Sequence, residues 1–187
     1  MHWAMLWASM GKMLEKAAPF PMWPTFSAFA LWLCWTGGTE EEAIAALLHD
    51  ALEDHPAETS REIIVRRFGD KVLAIVEACT DTPTDYTGGD KPPWKQRKET
   101  YLRHLEKATP ERLRVALVDK LDNARSILAD YRQVGEPLWK RFNAGKQDQL
   151  WFFRRLTEVF RTAGAEGFLI LEFKRTVSEL EREAGAA

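Results

Sequence analysis

The sequence predicts an all-α fold. Apolar residues recur at helical spacing from about residue 39 onwards, several of these runs follow helix-start signals, and no segment shows convincing strand alternation. The chain has 187 residues, of which 45% are hydrophobic and 29% are charged, as in an ordinary soluble globular domain. We therefore expect one bundle of amphipathic helices around a sizeable core.

Composition narrows the class of protein. The net charge of −2 argues against a general nucleic-acid binder, so we expect no nucleic acid as partner. Cys34 and Cys79 do not form a CxxC pair, which favours a reduced, cytoplasmic protein. No long uncharged apolar run predicts a membrane span, so no membrane partner is expected. The sequence leaves the oligomeric state open.

Residues 1–38 differ from the rest of the chain. They hold five of the eight tryptophans and only three charged side chains. Their apolar residues follow neither a helical nor a strand period. We therefore separate an atypical N-terminal segment, 1–38, from a helical domain, 39–187.

The first helices of that domain are predicted from their boundaries. Thr39 and Glu42 have the spacing of a capping box, and the helix they start is expected to run to about Asp54. Residues 58–68 form a second amphipathic pattern. After a glycine, residues 72–79 form a third helix.

The second half of the chain begins with a loop. Residues 80–93 contain three prolines and two glycines, and a loop of this length often has a function. The remaining segments predict a charged helix, a long helix with proline at its first position, a short helical turn and two amphipathic helices, over residues 94–107, 109–131, 135–142, 146–163 and 166–183.

Residues 45–54 place ionisable groups in an apolar helix. Such groups are costly to bury unless they meet a metal, an opposite charge or a substrate. On a helix, His49 and Asp50 point about 100° apart, yet a metal against the helix can reach both. Glu53 and Asp54 follow one turn later, where a carboxylate can position a water. The alternative is a polar, solvated helix end.

A second group of polar residues lies on the long helix. Asp119 interrupts an apolar face, and Asp122 and Asn123 follow at helical spacing on the same side. This helix can supply one more carboxylate to the same ion and an amide to a substrate. The alternative is an exposed acidic stripe paired with Lys120 and Arg125.

These segments together resemble a known family, the HD-domain metal-dependent phosphohydrolases. The matching runs are AALLHDALED, RRFGDKV, IVEACTD and DKLDNARSIL, in order over about half of the chain. The nearest branch is the hydrolase domain of the RelA/SpoT homologues and their small stand-alone relatives. That branch removes the 3′-pyrophosphate from the alarmone (p)ppGpp, usually with manganese.

The resemblance implies an HD-domain helical bundle with residues around a metal ion and a nucleotide substrate. It implies metal ligands at His49, Asp50 and Asp119, with manganese as the expected cofactor. It implies that Glu53 and Asp54 order the attacking water. It further implies that Asn123 and Ser126 touch the nucleotide.

The sequence departs from this family at its N-terminus. The family's first metal ligand is a histidine upstream of the HD pair, whereas the histidine that precedes His49 here is the distant His2. One hypothesis is that residues 1–37 are translated out of frame, since a shifted frame permits the missing motif. The alternative function is a catalytically impaired HD module that binds a nucleotide or a protein partner.

Overall fold

The computed structural model describes residues 32–33, 36–54, 59–80 and 92–185, without the side chains of Glu53 and Asp54. Across these ranges the regular secondary structure is helical and no strand occurs, which confirms the all-α prediction. The chain divides into two compact units, Met1–Thr80 and Asp81–Ala187. The boundary predicted after residue 38 stays a prediction.

The first unit contains α1 (Glu40–Leu47), α2 (Ala51–Asp54), α3 (Arg61–Phe68) and α4 (Asp70–Cys79). Helix α4 packs against both α1 and α3. The buried side of α1 consists largely of small side chains, among them Ala43, Ala45 and Ala46. Small side chains permit close approach between helix backbones, and α1 packs against α4.

The start of α1 is the predicted capping box. The Thr39 backbone N–H donates to Glu42 Oε2 at 2.6 Å. In return, the Glu42 backbone N–H donates to Thr39 Oγ1 at 3.3 Å. Two backbone donors that the helix itself leaves unpaired are thereby satisfied.

The continuous helix predicted from Thr39 to Asp54 is wrong, because residues 48–50 form a turn between α1 and α2. In an uninterrupted helix the Ala46 carbonyl would accept from the backbone N–H of Asp50. Here it accepts a 2.7 Å hydrogen bond from Nδ1 of His49. A side chain thus competes with the backbone for that carbonyl, and the helix ends there.

Helices α3 and α4 follow the predicted pattern, but α3 starts later than predicted and α4 starts earlier, at Asp70. Ser60 caps α3, so the helix begins at Arg61 rather than near residue 58. Gly69 separates the two helices with a φ of 88°, a conformation that L side chains rarely adopt. The predicted inner face of α4 is confirmed by its buried residues, Val72, Ile75, Val76 and Cys79. The predicted loop falls largely on residues 81–91, outside the described ranges.

The second unit contains α5 (Trp94–Leu105), α6 (Pro110–Val134), a 3₁₀ helix (Glu136–Arg141), α7 (Lys146–Thr162) and α8 (Phe168–Glu183). All five lie where the sequence predicts helical structure, with ends shifted by a few residues. Helix α6 packs most extensively against α8, and α7 packs against α8 and α5. The C-terminal half of the long helix that carries Asp119 is therefore held by α8.

Helices α6 and α8 run in the same direction, as their ion pairs show. Arg125 pairs with Glu172 at 2.9 Å. Two turns further along α6, Arg132 pairs with Glu179 at 2.5 Å.

Within the described ranges, no helix has the length and apolar character needed to cross a membrane.

Candidate functional site

His49 lies at the end of α1, where its ring is fixed by the backbone. The side chain is nearly buried, with 9% of the residue exposed. A carbonyl oxygen can only accept, so the 2.7 Å contact with Ala46 makes Nδ1 the donor. In the neutral ring this hydrogen bond leaves the lone pair on Nε2. Metal-binding histidines commonly have their other nitrogen held in this way.

Asp50 places a carboxylate directly beside that nitrogen. Its Oδ2 lies 2.9 Å from His49 Nε2, and its side chain is about half exposed. Two donors at about 2.1 Å from an octahedral ion and 90° apart are about 3.0 Å from each other. The spacing of this nitrogen and this oxygen therefore fits two neighbouring ligands of one divalent cation. An imidazole with a carboxylate suits Mn, Fe or Zn by donor chemistry.

Asp119 lies on the buried face of α6, with 3% of the residue exposed. The Asn123 amide donates to its Oδ1 at 2.7 Å. The Lys120 ammonium lies 2.6 Å from its Oδ2. The alternative of an exposed acidic stripe is therefore wrong at Asp119, although the pairing with Lys120 is correct. Arg125 pairs with Glu172 on α8.

The predicted substrate-contact residues share one side of α6. Asn123 and Ser126 follow Asp119 by one and two helical turns, and both residues are exposed. An amide and a hydroxyl in such positions can donate or accept hydrogen bonds from a polar ligand. Contact with a nucleotide stays a prediction.

The predicted ligands belong to two different units. His49 and Asp50 lie in the first unit and Asp119 lies in the second. Neither unit, over its described residues, gathers three or more His, Cys, Asp or Glu side chains around one point. Glu53 and Asp54 end α2, and their side chains lie outside the described part of the structure. Convergence of these groups on one ion stays a prediction.

The sequence pairs Lys120 only with an exposed acidic stripe, whereas the structure pairs it with the buried Asp119. Its side chain is largely buried, and its ammonium also lies 5.3 Å from the centre of the Tyr101 ring. A lysine in the buried part of an apolar helix, directly after an aspartate, is the signal that sequence reasoning had available.

The fold and these motifs agree with the comparison to known families. The chain matches the family model for the HD domain over residues 8–149, so it belongs to the HD domain family. The match begins inside the segment 1–38 that the sequence sets apart. The out-of-frame hypothesis for residues 1–37 stays a prediction.

Two individual proteins show how specific the likeness is. A guanosine-3′,5′-bis(diphosphate) 3′-pyrophosphohydrolase from Aquifex aeolicus is 39% identical over 101 residues, which is 52% of this chain and 13% of that protein. The chain thus spans a small part of that relative. The crystal structure of lmo0812 from Listeria monocytogenes EGD-e matches with a TM-score of 0.69 at 26% identity, covering 83% of this chain and 97% of the other. The predicted HD-type fold and the resemblance to alarmone hydrolases are confirmed.

Proposed function

We propose that this protein is a metal-dependent phosphohydrolase that acts on a nucleotide pyrophosphate. The favoured reaction is removal of the 3′-pyrophosphate from guanosine 3′,5′-bis(diphosphate). The observation that carries the proposal is the His49–Asp50 pair, in which Nε2 and Oδ2 stand 2.9 Å apart with Nδ1 bound to a backbone carbonyl. The 39% identity to a pyrophosphohydrolase supports the choice of substrate.

In this proposal, His49, Asp50 and Asp119 hold a divalent cation, manganese being the favoured ion. When bound, the cation supplies positive charge that offsets phosphate charge and makes water more acidic. Glu53 and Asp54 orient the attacking water by accepting hydrogen bonds from it.

The α6 residues of the proposed site act on the substrate. Asn123 and Ser126 position the nucleotide through their amide and hydroxyl groups. Asn123 also donates to Asp119, so one side chain serves both the metal ligand and the substrate.

The test is pyrophosphate release from guanosine 3′,5′-bis(diphosphate) by the purified chain, with and without Mn²⁺. We expect Mn²⁺-dependent release that His49→Ala and Asp119→Ala abolish. Two matched controls should keep activity: His104→Ala, an exposed histidine of α5, and Asp130→Ala, a half-exposed carboxylate on the same helix as Asp119. Release that survives chelation or both site substitutions would refute the proposal.

One sequence observation favours a second function. No histidine lies between His2 and His49, so the family's usual first ligand has no counterpart at its expected place. A catalytically impaired HD module would bind a nucleotide or a protein partner without turnover. Metal analysis of the purified chain, followed by guanosine nucleotide binding measured by calorimetry, distinguishes the two: binding without metal and without hydrolysis supports the module.

A further inference from the structure

Lys120 lies against the carboxylate that the proposed function assigns to a metal. Its Nζ is 2.6 Å from Asp119 Oδ2, while the other oxygen, Oδ1, accepts from the Asn123 amide. Nζ and Oδ2 form a close ion pair. A divalent cation that bound Asp119 through Oδ2 would therefore meet the Lys120 ammonium.

The surroundings of Lys120 favour replacement of its ammonium at Oδ2 by a divalent cation. The side chains of Lys120 and Asp119 are 15% and 5% exposed, so the pair is screened little by solvent. A divalent cation and an ammonium compete for the same oxygen, and their charges repel each other. The face of the Tyr101 ring, 5.3 Å from Nζ, offers the ammonium a second favourable contact when it leaves the carboxylate.

We propose that Lys120 is a positioning residue that neutralises Asp119 in the metal-free protein and is displaced from Oδ2 when a divalent cation binds. The proposal rests on the proposed function, since it takes Asp119 as a metal ligand. In this role Lys120 competes with the cation for the Asp119 carboxylate and so lowers the affinity for metal. In the metal-free protein it prevents the buried carboxylate from being left without a compensating charge.

The first measurement is the dissociation constant for Mn²⁺, from the electron paramagnetic resonance signal of the free ion titrated with full-length protein. We expect Lys120→Met to bind Mn²⁺ about tenfold more tightly, a change of about 1.4 kcal/mol. Lys120→Gln should also bind more tightly, and Lys120→Arg should stay near the wild-type value because it keeps the charge.

The matched control is Lys95→Met, which removes the same charge from another lysine that lies over an aromatic ring. Lys95 is exposed, and its Nζ is 4.9 Å from the centre of the Trp151 ring. This variant should change Mn²⁺ affinity less than about twofold, because an exposed charge is screened by solvent and salt. An equal gain in affinity in this control would overturn the proposal in favour of a general charge effect.

The second measurement is thermal unfolding of wild type and Lys120→Met, in chelator and in saturating Mn²⁺. The ion pair is expected to stabilise only the metal-free protein, so the melting temperature should fall in chelator and recover most of the difference in Mn²⁺. Equal destabilisation in both conditions indicates a purely structural lysine and overturns the proposal.

The outcomes also separate this inference from the proposed function. If wild type binds Mn²⁺ and Lys120→Met binds it equally or more weakly, the inference alone fails. If neither wild type nor variant binds Mn²⁺, the metal site itself fails and the inference fails with it. Tighter binding in Lys120→Met and Lys120→Gln, with Lys120→Arg unchanged, supports both.

Discussion

Phe173 is the core residue through which α8 packs against α7, in the same unit as the helix that carries Asp119. Its side chain is fully buried. Its ring meets Phe160 edge-on, with centroids 5.5 Å apart, and lies 6.3 Å from Phe153 at a tilt. We expect Phe173→Ala to destabilise the second unit strongly, because it leaves a cavity and removes both ring contacts.

The size of the effect follows from these contacts. Truncating a buried phenylalanine to alanine costs about 3–5 kcal/mol. Each aromatic pair contributes about 0.5–1.5 kcal/mol beyond its buried area, which places Phe173→Ala near the middle of that range or above, at about 4 kcal/mol. With a urea dependence of about 2 kcal/mol per molar, the unfolding midpoint should fall by about 2 M.

The assay is urea unfolding followed by tryptophan fluorescence and far-UV circular dichroism. The control is Leu171→Ala on the same helix, since Leu171 is 66% exposed. That change should stay within about 0.5 kcal/mol of wild type. A loss below about 1.5 kcal/mol for Phe173→Ala, or equal losses for both variants, would refute this account of the core.

Two further predictions concern acid stability and one glycine. Hydrogen bonds from Arg175, and then from Arg125, hold the pKa of Glu172 below its ordinary value against the opposing effect of burial. This carboxylate therefore stabilises the fold above about pH 4.5, and its contribution is lost as pH falls through the lowered pKa. Melting temperatures between pH 3 and 6 should decline less steeply in Glu172→Gln, and parallel curves would contradict this. Gly69→Ala should cost about 1–3 kcal/mol in urea unfolding, because φ of 88° and ψ of 166° are nearly exclusive to glycine; no loss would contradict the strain argument.

Sequence patterns succeeded where the structure depends on local or periodic signals. The capping box at Thr39 and the buried face of α4 both depend on spacing along one helix, which the sequence displays directly. The amphipathic periods of α7 and α8 likewise predicted their extents to within a few residues. Binary pattern and capping chemistry are sufficient for such elements.

The sequence failed where a side chain competes with the backbone or where burial decides the role. The turn at residues 48–50 arises because His49 takes the Ala46 carbonyl, a choice that periodicity does not encode. Asp119 was compatible with either a buried ligand or an exposed stripe, because the spacing of its neighbours suits both. Only the packing of α6 shows that it is buried with Lys120.

Because α1 is short, the hydrogen bond from His49 contributes to the stability of that helix. With 8 residues, α1 is too short to be stable alone, and side chains close it at both ends. The capping box holds the first turn, and the imidazole of His49 bonds to the last. His49 is thus at once a helix terminator and a candidate ligand. Any cation that fixes its ring will also suppress fraying of α1, so that amide exchange along this helix becomes a direct report of occupancy at His49.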